Sequence, residues 1–157
     1  MIIWRVSVKS GNDSIETIIG DHFVDDRGKI IFYNNLPLLN FKRFYFVSNH
    51  MQNFIRAWHG HKNEFKAVSV IRGVAQISVV KVDDWSQPSK DLEIKTVYLS
   101  SEKPQFILIP PGSAHGLKTL TAETELLFFS SSSVEESIND DYRYKYDYWN
   151  PWDISYR

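Results

Sequence analysis

Apolar and polar residues alternate at period two along most of the chain, in short runs. They fall at Ile2–Val8, Glu16–Ile19, Lys29–Tyr33, Lys42–Val47, Ile55–His59, Lys66–Ile71, Ala75–Val82, Leu92–Leu99, Gln105–Ile109 and Glu125–Ser130. That period sends successive side chains to opposite faces of a strand, and β-branched and aromatic residues dominate the runs. No segment carries the apolar spacing of a helix. Turn residues separate the runs: Asp26-Arg27-Gly28, Asn34-Asn35, Arg72-Gly73, Gln87-Pro88-Ser89 and Pro110-Pro111-Gly112. Ten strands at this spacing predict one all-β domain over residues 1–157, a β-sandwich or jelly roll closed enough to protect its edges.

Beyond Asp140 the pattern changes. Tyr142, Tyr144, Tyr146 and Tyr148 occupy every second position of an aromatic-rich C-terminal segment, 142–157, with Trp149 and Trp152 close behind. Arg143, Lys145 and Asp147 fall on the other face. The alternation predicts an edge or interface strand, and with the N-terminal run it predicts a homodimer built by strand addition or sheet packing. The serines Ser130 to Ser133 read as a strand end entering a loop.

Composition narrows the possibilities. The 157 residues are 43% hydrophobic, enough for one core and no second domain. A net charge of −1 provides no positive field for nucleic acid or an anionic membrane. Aromatic residues make up 15%, which suits half-buried strands and a ring-lined cavity. Cysteine is absent, so thiolate chemistry and disulfides are excluded and any metal must rest on His and carboxylates. The N-terminal apolar run is broken by Arg5 and Lys9, and no 18-residue apolar stretch occurs, which predicts a soluble cytoplasmic protein.

The candidate chemistry lies with the histidines. His59 and His61 are two apart on a predicted strand and share one face. His115 follows a Pro-Gly turn that hands it to the start of the next strand. His22 and His50 read as solvated loop residues, and Trp58 as packing, pointing away from the imidazoles. Taken singly, Arg56 and Lys66 are ordinary barrel-mouth charges, and Arg27 an ordinary turn residue.

Together these residues carry a resemblance. The HGH pair before Gly73, and Pro111-Gly112 before His115, resemble the two motifs of the cupin superfamily, whose fold is a small jelly-roll β-barrel. Arg56-Ala57-Trp58-His59, Lys66 seven residues before Gly73, and the block Leu99 to Leu120 resemble the RmlC-like nucleotide-sugar 3,5-epimerases of the dTDP-4-dehydrorhamnose type. Asp26-Arg27-Gly28 and Trp149-Asn150 are similar to that family's early and late motifs. Lys42-Arg43 with Tyr45, Arg56 and HGHK also resembles the 3,4-ketoisomerases that act on the same kind of nucleotide-linked 4-keto-6-deoxy sugar.

The resemblance implies an enzyme without a cofactor whose partner is a nucleotide-linked 4-keto-6-deoxyhexose, in deoxysugar biosynthesis for a surface polysaccharide such as O-antigen. The C4 ketone acidifies the hydrogens on C3 and C5. His59, at the matched position, is the base, and Lys66 stabilises oxyanion charge. Arg56 and Arg27 hold the diphosphate, since guanidinium forks match phosphate oxygens. Tyr45 belongs to the substrate-binding set, and His115 supports the site or acts as acid.

Two departures shift the expected reaction. Phe128 stands where the family has a proton-donating Tyr, and no carboxylate follows Asn150 at the spacing that pairs with the base His. C3 epimerisation is therefore the main expectation. Isomerisation through an enediol and a non-catalytic sugar-nucleotide-binding role stay open, and His61, His115, Tyr142, Tyr144 and Tyr146 are all candidate acids. A metal set of His59, His61, Glu64 and His115 is disfavoured. Glu64 is poorly spaced, and Lys66 sets an ammonium beside any cation.

Overall fold

A computed structural model describes residues 15–154. The run Ile2–Val8 lies outside them. Among the described residues twelve strands form: β1 (Glu16–Ile19), β2 (Asp21–Asp25), β3 (Gly28–Phe32), β4 (Arg43–Ser48), β5 (Ile55–His61), β6 (Lys66–Arg72), β7 (Val74–Lys81), β8 (Ile94–Ser100), β9 (Gln105–Ile109), β10 (Ser113–Thr119), β11 (Glu125–Ser130) and β12 (Tyr142–Arg143). One α-helix, α1 (Val134–Asn139), lies between the last two, and a 3-10 turn at Leu38–Asn40 precedes β4.

Two five-stranded antiparallel sheets face each other, one in the order β1-β9-β6-β11-β4 and the other β12-β5-β10-β7-β8, while β2 and β3 make a separate hairpin. This is the jelly-roll arrangement that the alternation predicts.

Inward residues of both sheets meet in an apolar cluster that includes Val68, Val70, Ile77, Leu99, Ile107, Leu117, Leu126 and Phe128, all buried. Outward residues are covered too. The 33–41 segment lies over Ala67, Phe106 and Leu108, and the C-terminal segment lies over Trp58, Val80 and Ala114. Trp58 therefore points away from the imidazoles, as expected. The cover on that side is close: a Cβ on Gly116 of β10 would stand 2.8 Å from the Trp152 ring and 2.5 Å from Ala57.

Three expectations are corrected. The tyrosine run is a strand only at Tyr142–Arg143, paired to Gly60 and His59, and one further exchange of bonds joins Tyr144 to Trp58. The chain then turns so that Trp149 and Trp152 reach the outer face of β5 and β10, where they are buried. The Tyr144 and Tyr148 hydroxyls donate to the carbonyls of Trp85 and Pro88, which ties this segment to the β7–β8 loop. β12 is the expected edge strand of its sheet, and beyond Tyr144 an intramolecular cover replaces its continuation, because two indoles gain more from burial than a tyrosine ladder gains in water.

Helix α1 is the second correction. Ser133 caps it, accepting from the Glu136 N–H while the Glu136 carboxylate accepts from the Ser133 N–H. Six residues are too few to display a 3.6 period, yet S-x-x-E is a legible start signal. Third, β2 is present and carries His22, which is exposed on a strand and not in a loop. No residue of β2 is fully buried, so no apolar alternation marks it. Arg27 stands in the turn where it is expected, at the tip of the β2–β3 hairpin, 81% exposed and paired with Asp25.

Candidate functional site

The two sheets part at one end around a cavity of about 280 Å³. Strand register sets what each wall presents. On one wall, Arg143 of β12, His59 of β5 and His115 of β10 stand directly opposite one another across the strands, with His61 two residues on from His59. On the other wall, Lys66 of β6, Ser130 of β11 and Arg43 of β4 form one cross-strand row, and Val68, Phe128 and Tyr45 form the next row deeper. A bulge between His115 and Leu117 brings Arg56 opposite Leu117 at the cavity edge.

The sequence-predicted residues His59, His61, Lys66, His115, Arg56, Tyr45 and Phe128 thus line one cavity. Arg27 is absent from it. The ring centroids of His59 and His61 lie 6.0 and 6.4 Å from that of His115, and Phe128 lies 6.1 Å from His115. Phe128 is 2% exposed, and its ring stacks parallel on Tyr45 at 5.3 Å. The wall that carries a phenyl ring at position 128 therefore carries a phenol on the adjacent strand.

Lys66 is held by two acceptors. Its Nζ is 2.9 Å from Glu64 Oε1 and donates to the Tyr45 hydroxyl at 3.1 Å, which leaves one of three N–H bonds for the cavity. Glu64 lies just outside the cavity lining with its side chain fully buried. Burial pushes its carboxyl up, but the Lys66 charge and the hydroxyls of Ser130 and Ser137 outweigh this and hold it below the ordinary carboxylate range.

All three imidazoles are kept neutral near pH 7. Burial lowers His59 to about 4, assisted by the Arg143 charge; Asp141 opposes the shift. The His59 Nε2 faces Arg143 Nη1 at 3.4 Å, and Arg143 is anchored through Nε on both oxygens of Asp141. His115 is driven well below its usual range by burial and then by Lys66, and its Nδ1 has no hydrogen-bond partner among the described residues. Burial and Lys66 also lower His61, against the pull of Glu64.

Sequence reasoning missed Arg143, Asp141 and Ser137, and assigned Glu64 no role beyond a rejected metal ligand. Arg143 had a signal, since it alternates with the tyrosines and so faces opposite to them, toward the cavity. Glu64 and Ser137 had none, because a loop and a short helix meet there. Among the described residues no group of three or more His, Asp or Glu is arranged to hold a metal ion. The chemistry of the set agrees: Glu64 is engaged by Lys66 and two hydroxyls, and His61 directs Nδ1 away from the other imidazoles, toward Glu64 and Asp140. No helix among the described residues is long and apolar enough to cross a membrane.

A jelly-roll barrel with imidazoles on one wall and an ammonium and a phenol on the other defines a class of cupin-like proteins equipped for proton transfer at carbon. The chain belongs to the dTDP-4-dehydrorhamnose 3,5-epimerase family, whose model matches residues 20–148; it is an isomerase family. No curated protein matches it in sequence.

Solved structures share the fold. A dTDP-4-dehydrorhamnose 3,5-epimerase from Bacillus anthracis, with TDP and PPi bound, superimposes with a TM-score of 0.74 at 20% identity, covering 95% of this chain and 90% of that one. The corresponding epimerase from Sulfolobus tokodaii gives 0.71 at 22%, covering 90% and 83%. The 3,4-ketoisomerase QdtA from Thermoanaerobacterium thermosaccharolyticum, a mutant in complex with TDP-4-keto-6-deoxyglucose, gives 0.66 at 19%, covering 87% and 91%.

Proposed function

We propose that the protein epimerises a nucleotide-linked 4-keto-6-deoxyhexose at C3. The observation that carries this reading is the pairing of walls: neutral imidazoles on one sheet face the Tyr45 hydroxyl and the Lys66 ammonium on the other across one cavity. Inversion needs a base on one face of the carbon and an acid on the opposite face.

Of the two imidazoles on β5, His61 is the better base. The His59 lone pair at Nε2 is turned to Arg143, whereas His61 uses Nδ1 for Asp140 and Glu64 and leaves Nε2 for the cavity. His61 Nε2 takes the C3 proton and the C3–H electron pair moves into the enolate. The free N–H of Lys66 stabilises the charge on the C4 oxygen. The Tyr45 hydroxyl gives its proton to C3 from the other side, and the ammonium already bonded to its oxygen stabilises the phenolate that forms. Proton exchange with water then returns the phenol and the neutral imidazole to their starting states. The Arg56 guanidinium has no hydrogen-bond or ion-pair partner among the described residues, which suits it to a diphosphate at the cavity edge.

The reading includes a cytoplasmic homodimer acting in deoxysugar formation for a surface polysaccharide such as O-antigen. The β2–β3 hairpin supports the dimer: Phe23, Val24, Ile30 and Ile31 are exposed on it, an apolar surface suited to a second copy. Packed on a neighbour, it would also take Arg27 to a site other than its own.

A 3,4-ketoisomerase is the second reading. Two imidazoles on one wall favour it, since moving a proton from C3 to C4 on one face needs no acid opposite. Incubation with TDP-4-keto-6-deoxyglucose in deuterium oxide separates the two. Deuterium at C3 with inverted stereochemistry is the expected result. A ketone that moves from C4 to C3 supports the second reading, and a TDP complex with neither change leaves a binding protein.

A further inference from the structure

We infer that Glu64 is a positioning residue: with the main-chain carbonyl of Asp140 it fixes the His61 proton on Nδ1, so that Nε2 carries the lone pair offered to the cavity. This rests on the proposed reading only in making His61 the group that meets substrate.

The geometry leaves one tautomer. His61 Nδ1 lies 2.7 Å from the Asp140 carbonyl oxygen and 3.1 Å from Glu64 Oε2. A carbonyl and an ionised carboxylate only accept hydrogen bonds, so a nitrogen facing both must bear the hydrogen. In a neutral ring the second nitrogen is then bare.

Neither acceptor is free to turn away. Glu64 Oε1 receives Ser130 Oγ at 2.6 Å and Lys66 at 2.9 Å, and Oε2 receives Ser137 Oγ at 2.5 Å. Arg43 of β4 adds a cation 3.6 Å from Oε1. Asp140 is fixed by its own carboxylate, which accepts the N–H groups of Lys62 and Asn63 at 2.9 and 2.8 Å, directly after His61. The end of α1, the β5–β6 turn and the end of β11 are thereby joined around one carboxylate.

Charge follows the same arrangement. His61 faces Lys66 from β6, His115 from β10, and the carboxylates of Glu64 and Asp140. Lys66 opposes protonation of the ring and Glu64 favours it, so the carboxylate offsets the ammonium that oxyanion stabilisation requires. His59, two residues away on the same strand, lacks such a partner and faces a guanidinium. Glu64 on one ring and Arg143 on the other therefore make two imidazoles on one strand face chemically different.

The test begins on the unliganded, unmodified protein. Side-chain ¹H–¹⁵N correlation spectra at pH 7 should show His61 protonated on Nδ1 and bare on Nε2; the reverse pattern overturns the inference, whatever any variant does. Glu64→Gln keeps the shape and removes the charge. It should lower the His61 pKa, mix the tautomers, and cut kcat for C3 exchange about tenfold or more, with KM little changed. Glu64→Asp, which restores the charge, should recover part of kcat. A folded Glu64→Gln variant with the unmodified tautomer and pKa overturns the inference. The expected spectra together with no C3 exchange on any 4-keto sugar would instead uphold Glu64 and overturn the proposed reaction.

Discussion

The two ends of the barrel interior are built from the same strands and have opposite chemistry. Along β6 the inward positions run Lys66, Val68, Val70; along β11 they run Ser130, Phe128, Leu126; along β10 they run His115, Leu117, Thr119. The cross-strand rows deepen in step, from Lys66–Ser130–Arg43, through Val68–Phe128–Tyr45, to Val70–Leu126–Val47. Between Lys66–Ser130–Arg43 and Val70–Leu126–Val47 the register of β6, β11 and β4 runs unbroken from site to core, whereas on the facing sheet a bulge between His115 and Leu117 marks the step. The site is the set of rows in which polar side chains replaced aliphatic ones, with the aromatic row between them as a floor.

Two substitutions should break this comparison at its extremes. Leu126→Ala, in the deepest row, removes a wholly buried side chain and should cost about 2–5 kcal/mol of stability. The folded fraction should keep the KM of the unmodified protein. His61→Asn, in the uppermost rows, should leave the urea midpoint nearly in place and lower C3 exchange by roughly two to four orders of magnitude. Urea titrations and exchange rates on both variants check the division. A large stability loss in His61→Asn would mean that site and core are one cooperative unit.

Legibility in the sequence follows the same division. Where residues alternate on long strands, position fixes which side chains share a face, so alternation puts His59 and His61 together, and the family resemblance then turns that face and Lys66 toward the barrel interior. The Pro-Gly corner starts the strand that carries His115 but does not show that this strand pairs with β5, which sets His115 beside His59 on one wall instead of across the barrel from it. Glu64 is not legible, because its meaning depends on Ser130, Ser137, Lys66 and His61 converging from four segments. Tyr45 is visible as a pocket residue but not as the neighbour of Phe128, since β4 and β11, which pair, are separated by most of the barrel's strands along the chain. The C-terminal tyrosines show the opposite failure. Their period holds for two residues, and burial of Trp149 and Trp152 then overrides it.

Acidification should sharpen the comparison with a smaller effect. His59, His61 and His115 all bind a proton less readily in the fold than in the unfolded chain. Each therefore contributes its full share to stability above the ordinary histidine value of 6.5, and that share falls as the unfolded chain alone takes up protons. Stability should decline between pH 6.5 and about 4, the latter being the value for His59. His115→Gln should flatten the decline, while Leu126→Ala should shift the curve downward without changing its slope. Urea midpoints at half-unit pH intervals would test this, and equal slopes in the His115→Gln and unmodified proteins would contradict it.

The smallest expected effect lies at α1, which belongs to neither end but seals the polar one. Its Ser137 donates to Glu64, and Val134 and Ile138 stand at the cavity rim, yet only Ser137 is buried. A six-residue helix has little stability of its own, so its start depends on the Ser133–Glu136 capping box, with Lys42 as an outer clamp on Glu136. Ser133→Ala removes the acceptor for the Glu136 N–H and should cost about 1 kcal/mol. Because α1 makes few contacts with the core, this loss should appear as fraying of the helix, with faster amide exchange confined to residues 134–139. Ser137 would then leave Glu64 for part of the time, and C3 exchange should fall by a small factor while the urea midpoint barely moves. Uniform loss of amide protection across β6 and β11 would instead show that the helix supports the whole barrel.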